Sequence, residues 1–139
     1  MRRLSRPALV AAAAALAAIV NVLIHLISRA AGGTFTFTAA GGRAEVDALT
    51  VAGFSVVPLA AGLTAVALLA PRLSWVSRAA QIAGPLLAAG TIVTMTLPAD
   101  FDTVSTVSLA LCHLTLVPII IVAVAALDRR AAEPVPQTT

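Results

Sequence analysis

"TVSTVSLALCHLTLVPIIIVAVAAL", Thr103–Leu127, runs from end to end without an acidic or basic charge. As a helix rising about 1.5 Å per residue, it exceeds the ~30 Å hydrocarbon core of a bilayer. The run is too long for a strand and shows no sustained alternation. In hydrocarbon, every backbone N–H and C=O must be paired within its own segment, so the stretch reads as a helix. Three earlier runs share this character: Pro7–Ser28, Ala48–Pro71 and Ala79–Ala99.

The composition agrees. Of 139 residues, 60% are hydrophobic and 11% are charged, with mean hydropathy +1.01. Soluble domains carry about 25% charged residues, and a chain this short cannot hide so much apolar surface in one core. The excess must face lipid, so the bilayer is the first expected partner. The net charge of +3 does not indicate nucleic acid. The basic residues are all arginines, most of them flank apolar runs, and the few aromatics do not interleave with them as a stacking platform requires. Cys112, the sole cysteine, forms no internal disulfide and reads as a small buried hydrophobe.

Arginine placement gives the threading. Arg2, Arg3, Arg6, Arg72, Arg78, Arg129 and Arg130 fall on one side. Arg29 and Arg43 fall on the other, with Glu45, Asp47, Asp100 and Asp102. Both termini are therefore expected in the cytoplasm, in a multi-pass protein of the plasma membrane. "MRRLSR" resembles the basic start of a secretory signal, but the first run is longer than a signal's apolar core, so a retained helix is expected. Trp75 in the short inner link suits an interfacial anchor. Short links favour antiparallel neighbours. The expected fold is an all-α, up-down-up-down bundle of four transmembrane helices forming a single domain over residues 1–130. Residues 131–139, with two prolines and no apolar periodicity, are expected to be a disordered cytoplasmic tail.

The only sizeable segment outside the spans is "GGTFTFTAAGGRAEVD", Gly32–Asp47. Its period-two alternation and Gly41-Gly42 suggest a short extracellular loop or hairpin returning through Arg43–Val46. Phe35 and Phe37 would then share one face, capping the bundle, lying on the bilayer interface, or gating an entrance. Asp102 is placed to cap the fourth helix, and Asp100 and Asp102 both suit its positive dipole end. Two acids alone make a poor calcium site.

Asn21, His25 and His113 are candidates for an intramembrane polar cluster, because polar groups at that depth turn toward other helices. Asn21 and His25 share a helix face. Counted from the outer ends, His25 lies about 5 Å deep, Asn21 about 10 Å and His113 about 15 Å. An Asn21–His113 clasp between the first and fourth helices is the leading expectation. A haem held by His25 and His113 fits badly, because the two depths differ by about 10 Å. A third reading has these residues lining a path for a proton or small solute. Pro58, Pro85 and Pro118 each interrupt one span. Ala80, Gly84 and Ala88 form a small-residue row suited to close helix approach, within the bundle or in a homo-oligomer. No nucleophile–base–acid, metal or phosphate motif is present; "GGTFTF" lacks the lysine and spacing of a P-loop. Neither enzymatic activity nor a cofactor is expected.

The segments "GGTFTFT", "VDALTVA" and "MTLPADFDT", followed by His113, resemble a family of uncharacterised small four-helix bacterial membrane proteins, over roughly residues 8–127. The resemblance implies the bundle and brings no activity, ligand or catalytic residue. The function expected is structural or accessory and non-catalytic, with a membrane-protein partner or a second copy; the rival is a small transporter or channel subunit for a proton or small solute.

Overall fold

The computed structural model describes residues 4–131. It contains α1 (Arg6–Ala30), β1 (Thr36–Ala39), β2 (Gly42–Glu45), α2 (Ala48–Leu69), α3 (Val76–Thr91) and α4 (Thr103–Ala131). A π-helical segment, Ile92–Thr96, continues α3. Four helical stretches, the third being Val76–Thr96, are long and apolar enough to cross a membrane. Their outer faces carry large exposed apolar side chains such as Leu49 at 79% and Leu87 at 70%. Such a surface is suited to lipid.

The helix ends follow from local chemistry. Ser5 caps α1, its Oγ accepting from the Ala8 N–H, and Pro7 fits the first turn. Past the last turn, Gly33 N–H donates to the Ser28 carbonyl at 2.9 Å while Gly32 adopts φ +96°, a glycine-based stop. Asp47 caps α2 by accepting from the Thr50 N–H at 2.7 Å. The third helix starts at Val76, three residues before the expected Ala79, because a turn closed by Val76 N–H on the Leu73 carbonyl already leads into it. α4 runs past the expected Leu127 to Ala131, and Arg129 and Arg130 in its last turn complement the helix dipole. The tail expected to be disordered lies, beyond Ala131, outside the described residues.

α1 packs on α2 and α4, and α3 packs on α4; α2 and α3 touch only sparsely. The start of α1 lies beside the ends of α2 and α4. There the Arg6 guanidinium donates to the Arg130 carbonyl at 3.0 Å and, more weakly, to the Ala67 carbonyl at 3.5 Å. A cation thus satisfies carbonyls that helix ends leave unpaired. The core at this end joins Ala13 and Ala17 of α1 to Leu59, Leu63 and Val66 of α2 and to Val124 and Leu127 of α4. Small alanines let the backbones approach closely. Gly84 does the same for α3 and α4, since a Cβ there would sit 2.7 Å from Ile120 Cγ2. The small-residue row is therefore used within the bundle.

β1 and β2 form an antiparallel hairpin, Thr36 opposite Glu45 and Ala39 opposite Gly42, with Gly42 at φ +115° in the turn. The expected shared face of Phe35 and Phe37 is corrected. Phe35 precedes the strand in a left-handed conformation, φ +55°, which breaks the alternation. Its ring is fully buried in the bundle end, whereas Phe37 packs on Phe101 with centroids 5.1 Å apart.

Candidate functional site

Two groups of polar contacts stand out: a latch at the hairpin end and a set of bonds at membrane depth. In the latch, each of two carboxylates grips one hairpin threonine by both its N–H and its hydroxyl. Asp100 accepts from Thr38 N–H and Thr38 Oγ1, each at 2.7 Å. Asp102 Oδ2 accepts from Thr34 N–H at 2.9 Å and Thr34 Oγ1 at 2.8 Å. The same oxygen accepts from Ser105 Oγ at 2.6 Å, and Asp102 Oδ1 accepts from Ser105 N–H at 2.9 Å. The last bond is the cap expected at the start of α4. Asp100 is no cap; it holds the hairpin instead.

Buried Ser105 extends the latch inward, its Oγ accepting from Phe35 N–H at 2.8 Å. Phe35 C=O accepts from Val46 N–H at 2.9 Å. With both backbone groups fixed, Phe35 tolerates a left-handed conformation that costs about 1–2 kcal/mol per residue. Gly33 makes room for the ring, because a Cβ there would lie 2.9 Å from Phe35 Cε2. Donors converging on the carboxylates favour their charged forms. The Ser105 hydroxyl, then its N–H and Thr34, hold Asp102 far below the usual carboxylate range. The Thr38 hydroxyl and N–H hold Asp100 below it. A nearby ion pair, Arg29 to Glu45 Oε1 at 2.6 Å, is well exposed on both sides and contributes little.

At membrane depth, buried Asn21 joins three helices. Its Nδ2 donates to Ser55 Oγ on α2 at 2.8 Å and to the Cys112 carbonyl on α4 at 3.2 Å. Its Oδ1 accepts from Thr115 Oγ1 at 2.6 Å. Ser55 Oγ in turn donates a hydrogen bond to the Val51 carbonyl at 2.7 Å. Donors and acceptor of the carboxamide are all engaged, as a buried amide requires.

The expected Asn21–His113 pair is corrected. α1 and α4 are clasped through Asn21, but by the Cys112 carbonyl and Thr115. His113 instead contacts α3, with Nδ1 3.0 Å from Thr91 Oγ1. Successive helical residues are turned by about 100° (3.6 per turn), so His113 projects away from the direction in which Cys112 offers its carbonyl. Nor does His25 join the group. It is buried against Phe35, ring centroids 4.3 Å apart, and its Nδ1 has no hydrogen-bond partner among the described residues. The three candidates thus fall into three settings: a saturated amide, an imidazole under the Phe35 plug, and an imidazole between α3 and α4. Ser55, Thr91 and Thr115 were not singled out as partners by sequence, because hydroxyls in spans usually bond back to their own helix. The pairing of Thr34 and Thr38 with Asp102 and Asp100 carried no sequence signal, because the partners lie more than sixty positions apart.

Among the described residues, no three His, Cys, Asp or Glu side chains are grouped to hold a metal ion. A family model described as a family of unknown function, DUF6069, matches residues 1–132. The chain belongs to that family. No curated protein and no solved structure gives a match. DUF6069 membership agrees with the resemblance carried by "GGTFTFT" and "MTLPADFDT". Those two stretches are the halves of the latch, joined by Thr34 and Thr38 to Asp102 and Asp100.

Proposed function

We propose that this protein is a non-catalytic, accessory component of the bacterial plasma membrane. In this reading the four helices form an up-down-up-down bundle with the hairpin outside and both termini in the cytoplasm. The arginine asymmetry supports that orientation, and Arg6 bridging the ends of α2 and α4 supports antiparallel threading. The role is to present a rigid bundle to a membrane-protein partner or a second copy. The observation that carries it is Asn21, whose polar atoms are spent on tying three helices together rather than on lining a conduit.

The second reading, a small proton or solute transporter, has one observation in its favour. A cleft touches Asn21 and His113 and reaches Phe37 and Phe101 near the hairpin. Its walls are nearly all apolar, which favours hydrocarbon over water or ions. Proteoliposomes separate the two readings. The accessory role gives proton leak equal to protein-free vesicles under an imposed pH gradient. A leak that His113→Ala abolishes would establish transport.

A further inference from the structure

Sparse contact between α2 and α3 leaves a groove with α4 as its floor. It consists of two clefts that meet at Phe54, Met95, His113 and Leu116. The outer cleft, about 330 Å³, runs toward the hairpin. The inner one, about 490 Å³, passes between Leu63 and Val66 of α2, Ala80 and Gly84 of α3, and Val124 of α4. Both are in the size range of ligand sites. We propose that this groove binds a neutral lipid alcohol: an uncharged amphiphile with an apolar chain and a free hydroxyl that donates to His113 Nε2.

The hydroxyl requirement comes from hydrogen-bond bookkeeping around Thr91. Its hydroxyl has one proton, and Thr91 Oγ1 donates to the Ala88 carbonyl at 2.8 Å. Toward His113 it is therefore an acceptor, so His113 Nδ1 carries the proton of that 3.0 Å contact. A neutral imidazole with a proton on Nδ1 has a bare lone pair on Nε2. That atom has no partner among the described residues and is not one of the enclosed polar atoms. His113 lines both clefts, whose other walls are almost wholly apolar, so the complementary ligand carries a donor on an apolar body.

Charge and length narrow the class. Among the described residues, Glu45 at the outer end is the only acid in the lining, and no arginine lines either cleft. A phosphate headgroup would find no cation there. From His113 to Val124 the inner cleft extends about 16 Å along α4. That is about half of the ~30 Å hydrocarbon core, the reach of a single lipid chain. The proposal needs the helices to lie in a bilayer but does not depend on the accessory role.

The test reconstitutes the full-length protein in nanodiscs with three diazirine-bearing probes: hexadecanol, its methyl ether, and a phosphatidylcholine labelled in one acyl chain. Photolabelling is read by mass spectrometry. Hexadecanol should label groove residues about fivefold more than the ether, the worth of one net hydrogen bond. His113→Leu should remove that preference and leave ether labelling in place. Gly62→Leu should suppress labelling by both, because a Cβ at Gly62 meets nothing within 4 Å and the larger side chain fills the inner cleft. It leaves His113 untouched, so the proposal stays testable if His113→Leu does not fold. Equal labelling by alcohol and ether in the parent overturns the proposal. So does preferential labelling by the phospholipid, or absence of labelling together with crosslinked dimers, which would assign the groove to a second copy.

Discussion

Asn21 and His113 have similar standing in the sequence, as uncharged polar side chains deep in apolar runs, yet their surroundings differ. Asn21→Ala would leave Ser55 and Thr115 without their carboxamide partner and remove a link among α1, α2 and α4. It should destabilise the protein by about 1–3 kcal/mol. His113→Ala loses one contact to Thr91 at the edge of an open groove, so its cost should be smaller. Thermal unfolding in detergent checks this order, and a larger loss for His113→Ala would contradict it. Sequence identified the clasping residue and misassigned its partner. Depth along a helix can be counted from its ends, but with neighbours about 100° apart, a one-residue offset selects a different facing helix. The partner on α4 was partly a backbone carbonyl, which no side-chain pattern signals.

The hairpin and the turn before α4 were legible as elements: alternation and a glycine pair for one, proline and acids for the other. Their mutual attachment was not, because it depends on Thr34 and Thr38 coming within reach of residues more than sixty positions away. Asp102→Ala removes a helix cap and a hairpin anchor together, whereas Asp100→Ala removes one anchor. Amide exchange across Thr34–Val46 should accelerate in both variants, by about tenfold or more for Asp102→Ala, and less for Asp100→Ala. Acid should have the same effect. Both carboxyls are held below their ordinary value of 3.8, so their contribution is fully present above that pH. It declines as the pH falls below it toward the folded-state values. Hairpin exchange at constant temperature should therefore be flat from pH 7 to 5, after correction for intrinsic rates, and rise below about pH 4. The π-helical segment had no sequence signature. There Leu97 N–H reaches the Ile92 carbonyl, and Thr94 Oγ1 bonds the Gly90 carbonyl at 3.0 Å. The closeness of α3 to α4 rests on Gly84. Gly84→Ala must push Ile120 aside and should lower stability by about 1–3 kcal/mol in the same unfolding assay.

Across the whole molecule, four helices were readable because hydrocarbon imposes one simple demand, an uncharged run long enough to span it. The groove was not readable, because it reflects how tightly α2 and α3 pack rather than what either segment contains. The arginine distribution is the support for the proposed orientation, and the hairpin and the α2–α3 link lie at opposite ends of α2. That arrangement can be tested in intact cells with a membrane-impermeant thiol reagent, in a Cys112→Ala background. Gly41 in the hairpin turn and Ser74 in the link are exposed, and each can carry a single introduced cysteine. Gly41→Cys should be labelled from outside in intact cells, and Ser74→Cys only after the membrane is permeabilised. Labelling of both positions in intact cells, or of Ser74→Cys alone, would contradict a latched bundle that crosses the plasma membrane with its arginine-rich side in the cytoplasm.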